Sequence, residues 1–181
     1  METIKEIKNR IENADMVLIG IGSQLSLSKE KKEDILQVYQ NVYELVKDKP
    51  WFVVTLNTDD LIYESNFHPM LVVAPCGSDA SGNVVTNEDY DESQYLPQWQ
   101  FYMNWLTSTL GKKLCILELG VGMEYPSVVR MPFERTIQLN QKSSLIRIHS
   151  SLAFVPEEIA ARSFCIMKKP SEILVKIDKN N

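Results

Sequence analysis

The stretch Met16 to Ser26, Met-Val-Leu-Ile-Gly-Ile-Gly-Ser-Gln-Leu-Ser, constrains this chain more than any other. Four apolar residues, Met16 to Ile19, form a short buried strand, and Gly20 and Gly22 follow at once, ahead of a segment with helical periodicity. Strand, then Gly-x-Gly, then helix is how an open α/β sheet presents backbone N–H groups to a phosphate. Glycine suits that turn because the chain bends sharply and a pyrophosphate must come close to the main chain. The full dinucleotide fingerprint would place a third glycine at Leu25, so the same residues also read as an ordinary strand-to-helix connection.

The alternation continues along the chain. Ile4, Ile7 and Ile11 put one apolar stripe on a leading helix that ends near Asn13. From Ser28, Ile35, Val38, Val42 and Leu45 predict a helix packed on a sheet, ended by Pro50. Trp51 to Leu56 is apolar without alternation, as parallel strands covered on both faces are, and it empties into Asn57-Thr58-Asp59-Asp60 ahead of a short helix from Leu61 to Asn66. Met70 to Ala74, Leu114 to Leu119, Leu145 to Ile148 and Ser163 to Met167 supply four more strands. Residues 77–95 read as a polar, acidic loop too long for a simple connection. Trp99, Met103, Leu106 and Leu110 resume helical spacing, with Gly111 as the C-cap. Pro156, Glu157 and Glu158 open another helix, Pro170 to Ile177 closes the chain as a helix, and the last few residues are expected to fray. The order predicts a single α/β domain built on a doubly wound, mostly parallel six-stranded sheet with right-handed crossovers. Gly120-Val121-Gly122 follows the fourth strand, so both glycine turns are expected to face the crevice where the first and fourth strands diverge.

At 181 residues the chain is long enough for one domain with its own core. A formal net charge of -5, with no face rich in Lys and Arg, argues against a nucleic-acid binder. The charged N-terminus lacks the apolar core of a signal peptide, and no later run approaches a membrane span, so a cytoplasmic, membrane-free protein is expected. Cys76, Cys115 and Cys165 are far apart and form no C-x-x-C pair, which supports neither a disulfide framework nor a metal site. Cys115 and Cys165, lying in apolar strands, are expected to be buried thiols.

Three strand ends therefore carry polar or glycine-rich signals: Gly20 to Ser26, Thr55 to Asp60, and Glu118 to Arg135. Together they resemble the sirtuin family over nearly the whole chain. The first stands where sirtuins carry a Gly-Ala-Gly-Ile-Ser turn on the cofactor phosphates. Thr55, Asn57 and Asp59 match a Thr-Gln-Asn-x-Asp motif, and Ala74-Pro-Cys-Gly-Ser78 falls at the family's His-Gly-Ser. Glu118-Leu-Gly-Val-Gly-Met-Glu-Tyr-Pro126 with Arg130 and Pro132-Phe-Glu-Arg135 looks most like the macrodomain-linked bacterial sirtuins, and His149 stands at the end of the family's adenosine-side strand. The resemblance implies a Rossmann-like sheet of the sirtuin large-domain type. It also implies an NAD or ADP-ribose ligand held by Gly20, Gly22, Ser23, Asn57, Asp59, Gly120, Gly122 and His149, with Asn57 and Asp59 carrying any catalysis.

The same comparison implies lost deacetylation. Cys76 replaces the family's general-base histidine, and a thiol with an ordinary pKa of about 8.5 is a poor substitute. Leu56 replaces the motif's glutamine, the four zinc cysteines are absent, and Gly22 to Trp51 leaves room for one helix only. Three readings follow: a zinc-free NAD or ADP-ribose binder, an NAD-cleaving transferase or hydrolase, and a scaffold that self-associates through Trp99, Phe101, Tyr102 and Trp105. By residue type alone, Asn57 and Asp59 also read as caps for the helix at Leu61, His149 as a strand-end hydrogen-bonding group, and Arg130 and Arg135 as partners of Glu118, Glu124 or Glu134.

Overall fold

A computed structural model describes residues 2–177 of the chain. Six parallel strands form the sheet: β1 (Met16–Ile21), β2 (Trp51–Thr55), β3 (Val72–Val73), β6 (Leu114–Leu119), β7 (Ser144–Ile148) and β8 (Ser163–Ile166). Their spatial order is β3-β2-β1-β6-β7-β8, so the chain reverses direction across the sheet between β1 and β6. A separate antiparallel pair, β4 (Gly77–Ser78) and β5 (Asn83–Val84), stands within the segment expected to be a plain acidic loop. The sheet is wholly parallel, and the fold is Rossmann-like.

Alternation along the buried strands divides two cores. Val17, Ile19 and Ile21 of β1 join Cys115, Leu117 and Leu119 of β6 on one face, where α1 (Glu2–Glu12), α2 (Lys32–Val46) and α6 (Pro170–Leu174) cover them. Leu18, Phe52, Val54 and Ile116 point to the other face, under α3 (Leu96–Ser108), α4 (Arg130–Leu139) and α5 (Glu157–Ala160). Burial on both faces is why these strands are continuously apolar in sequence. Among the described residues no helix is long and apolar enough to cross a membrane.

Several local expectations are corrected. A 3-10 turn, Ser23–Leu25, follows Gly22, and α2 begins only at Lys32, so the glycine turn does not run into a helix N-terminus. Leu61–Glu64 is also 3-10, and the third strand keeps only two residues because Pro69 starts a 3-10 turn at Pro69–Leu71. α3 ends before Gly111, which adopts φ +75° beyond it, and α6 stops at Leu174. The expected fraying of the last few residues lies outside the described region. Cys115 is buried as expected, but Cys165 is exposed, on the edge strand β8.

Candidate functional site

The two glycine turns do meet at the switch point, but they pack on each other. A Cβ on Gly22 would lie 2.4 Å from the Gly120 carbonyl oxygen and 2.4 Å from Val121 Cα. A Cβ on Gly120 would lie 2.5 Å from Gln24 Cβ, and one on Gly20 would lie 2.6 Å from the Phe133 ring of α4. Gly22 has φ −121°, an extended conformation open to any residue, so its glycine serves close approach and not the bend. Gly120, at φ +66°, needs glycine for its backbone as well. The turn amides are also satisfied internally: Gly22 N–H donates to Leu119 O (2.9 Å), Gln24 N–H to Gly120 O (3.3 Å) and Gly120 N–H to Ile148 O (2.8 Å). The protein's own backbone therefore occupies the close approach expected for a pyrophosphate. Gly122 is the exception, with His149 Nε2 the nearest atom to its built Cβ at 3.6 Å.

The open space lies to the other side of β1. A cleft of about 660 Å³ at the carboxyl ends of β1 and β2 is lined by Ser23, Ser26, Asn57, Asp59, Cys76 and Asp79, with Glu124 and Tyr125 also in its walls. Of the residues expected to hold a ligand, Ser23, Asn57 and Asp59 reach it, whereas Gly20, Gly22, Gly120, Gly122 and His149 do not line it. Asn57 Nδ2 donates to Leu25 O (3.0 Å), and Asp59 accepts from Leu27 N–H (3.1 Å) through one oxygen and from Leu61 N–H (3.2 Å) through the other. Asp59 thus caps the 3-10 turn, and both residues clasp the 23–28 loop to the end of β2. Behind them lies the buried Tyr39 hydroxyl; burial, followed by the Asp59 charge, pushes its phenol well above the ordinary range, and the side chain of Asn57 opposes that shift. Cys76 is also buried, and desolvation with the nearby Glu124 pushes its thiol up to about 11, so it is no base at neutral pH. The hairpin β4–β5 walls the cleft through Val84, with Val85 and Thr86 beyond it, which places the acidic segment beside the opening. The cationic corner is Lys29, whose Nζ donates to Ser23 Oγ (2.8 Å) and lies 3.5 Å from Glu124.

On the β7 side the polar groups are structural. Glu118 and Arg147 are register partners on β6 and β7 and both fully buried. Arg147 donates to Glu118 through Nε (2.6 Å) and Nη2 (2.9 Å), and to Glu134 and Phe154 O through Nη1 (each 2.8 Å). Desolvation pushes the Glu118 carboxyl up, while Arg147's hydrogen bonds and charge oppose that shift. Burial opposes the Arg147 charge too, yet its hydrogen bonds to Glu118 and Glu134 hold the guanidinium above its ordinary range. Arg130 is buried as well: its Nε lies 3.8 Å from Glu134, one of the partners expected for it, and its Nη atoms donate to Leu152 O and Phe154 O, both at 3.0 Å. Arg135 donates to Gln138 Oε1 (3.2 Å) at the surface. His149 Nδ1 accepts from Ser151 and Leu152 N–H (3.1 and 2.9 Å), which fixes the neutral tautomer with its proton on Nε2. Burial, then the Arg130 charge, lowers its pKa further.

Sequence reasoning missed Lys29, Tyr39 and the Glu118–Arg147 pair. For the pair a signal existed, since a charged residue sits inside each otherwise apolar strand, Leu-Cys-Ile-Leu-Glu-Leu and Leu-Ile-Arg-Ile. Among the described residues no group of three His, Cys, Asp or Glu is placed to hold a metal ion. Fold and site together define a Rossmann-like α/β domain with a polar cleft on the β2 side of its switch point. No family model matches the chain, and no curated protein matches it.

Proposed function

We propose that this chain binds a nucleotide of the NAD or ADP-ribose type in the cleft beside β1 and β2, without sirtuin-type deacetylation. The observation that carries this reading is a polar cleft of about 660 Å³ at the sheet's carboxyl edge, next to the switch point, lined by Ser23, Asn57 and Asp59. That is where open α/β sheets take their ligands, and the volume falls in the range of small-molecule sites. The donor set fits the ligand unevenly. Asp59, Asp79 and Glu124 are acceptors suited to ribose hydroxyls, whereas among the described residues a phosphate finds its cation at Lys29 beside Ser23. The pyrophosphate is therefore assigned to the Ser23–Lys29 corner and not to the glycine turns, and the ribose to the side of Asn57 and Asp59. Among the described residues no imidazole lines the cleft, and the Cys76 thiol stays protonated, which favours binding over general-base chemistry.

Calorimetric titration with NAD and with ADP-ribose tests this reading. Saturable binding is expected, weakened about tenfold or more by Lys29→Glu, a difference of about 1.4 kcal/mol, with the melting temperature unchanged. Absence of heat at millimolar ligand overturns it. Free nicotinamide released in the same sample would support the NAD-cleaving reading instead, with a cleft carboxylate in place of the missing imidazole. Self-association through α3 draws on Phe101, which is 47% exposed, but Tyr102 of the same run is buried against Phe52 and is unavailable to a partner. Light scattering on Phe101→Ser tests it: an unchanged mass removes that reading.

A further inference from the structure

A second cavity, of about 280 Å³, lies on the opposite side of the β4–β5 hairpin from the cleft. Gly77, Ser78 and Asn83 face it, while Asp79 and Val84 face the cleft, so the hairpin separates two spaces and the second is independent of the nucleotide reading. Its walls include Tyr63 and Asp60 from the 3-10 turn after β2, and Tyr90 and Tyr95 from the segment leading into α3. Tyr90, Tyr95 and Asp60 are held by contacts of their own. The Tyr90 hydroxyl donates to Pro75 O, the Tyr90 and Tyr95 rings are nearly parallel (17°, centroids 6.4 Å apart), and Tyr95 meets Trp99 edge-on. Asp60 is held at φ +60°, a conformation that costs a non-glycine residue energy, with its carboxylate accepting from Ser78 Oγ at 2.5 Å.

Charge is the second observation. From Pro50 to Gly111 the sequence contains eight Asp and Glu and no Lys or Arg. Among the described residues Asp60 has no ion-pair partner, and Asp91 and Glu92 add their charges at Tyr90. Burial and the Asp60 carboxylate together raise the Tyr63 phenol, so the aromatic walls remain neutral at physiological pH. Aromatic rings lining the same cavity as a carboxylate without an ion-pair partner attract a cation, and most strongly one whose hydration is weak. A lysine-type ammonium is strongly hydrated. Alkyl groups on nitrogen remove that hydration and supply apolar surface to the rings.

We propose that this cavity binds a small alkylated ammonium ion, a trimethylammonium head group, with Asp60 supplying the counter-charge and Tyr63, Tyr90 and Tyr95 the aromatic enclosure. Calorimetric titration with choline tests the proposal against the neutral isostere that carries a tert-butyl group in place of trimethylammonium. Choline is expected to saturate in the millimolar range and to bind about tenfold or more tightly than the isostere. Asp60→Asn preserves the left-handed backbone, which asparagine tolerates, and is expected to weaken choline about tenfold without moving the melting temperature. Tyr63→Leu should weaken choline while leaving an NAD titration unchanged. A peptide carrying trimethyllysine, run in parallel, separates the two sources of this head group: tighter binding than choline identifies a protein side chain, and weaker binding a small free quaternary ammonium ion. No saturation by choline, equal affinity for the isostere, or unchanged affinity in Asp60→Asn overturns the proposal.

Discussion

The two sides of the β1–β6 switch point use the same kinds of residue in opposite ways. Toward β7, glycines, carboxylates and arginines are packed solid: Gly22 lies against Gly120, and Glu118 is locked to Arg147 with no solvent between. Toward β2, Ser23, Asn57 and Asp59 surround open space, and their side chains hold loops together while lining it. A glycine pair after a strand is thus no measure of a ligand's presence. What matters is whether the atoms that need its missing Cβ belong to a ligand or to the protein.

The sharpest break in this contrast is Arg147→Met. It leaves Glu118 buried without its bidentate partner, and a loss of about 3–5 kcal/mol in denaturant unfolding is expected. Arg147→Met combined with Glu118→Leu should recover most of that loss, because apolar groups of similar volume replace a desolvated pair. A single variant of wild-type stability would show that the network is not what holds this side together. Next is Gly22→Ala, whose methyl group must displace Gly120 and Val121 backbone, at a cost of about 1–3 kcal/mol. Such a variant weakens nucleotide binding through the fold alone, so it cannot locate the ligand.

A smaller effect is expected from His149. Its pKa is lowered in the folded protein, so the unfolded chain takes up the proton first as pH falls. The stability it contributes is full above about pH 6.5, the unfolded value, and is lost as pH falls from there through the lowered folded value. Melting curves across that interval should slope less in His149→Asn than in the wild type. Smallest of all is Gly122→Ala, where the new methyl group would meet His149 at ordinary contact distance and a change within about 0.5 kcal/mol is expected. A large loss there would move the closely packed region one turn outward.

Much of the fold was legible because burial leaves a period in sequence. Leu114 to Leu119 reads as a strand to the residue, and Ile35, Val38 and Val42 face the core as their spacing predicts. Shorter elements were less legible. The strand expected from Met70 shrinks to Val72–Val73 because Pro69, with Met70 N–H accepted by His68 Nδ1, commits the preceding residues to a 3-10 turn. The site was legible in part. Asn57 and Asp59 do reach the cleft, since a polar cluster at the end of a buried parallel strand has only the sheet's carboxyl edge to occupy.

By itself the sequence determined the alternation of strand and helix, the parallel sheet and the edge where polar residues collect, because local periodicity and the handedness of crossovers leave few other arrangements. Tertiary structure alone decided which glycines face protein and which face open space. It also decided that Glu118 finds Arg147, and that the hairpin at Gly77 divides one acidic segment between two cavities. Those outcomes depend on contacts between residues far apart in the chain. Residue type fixes what a side chain can bond, but only the packed neighbours fix which partner it meets.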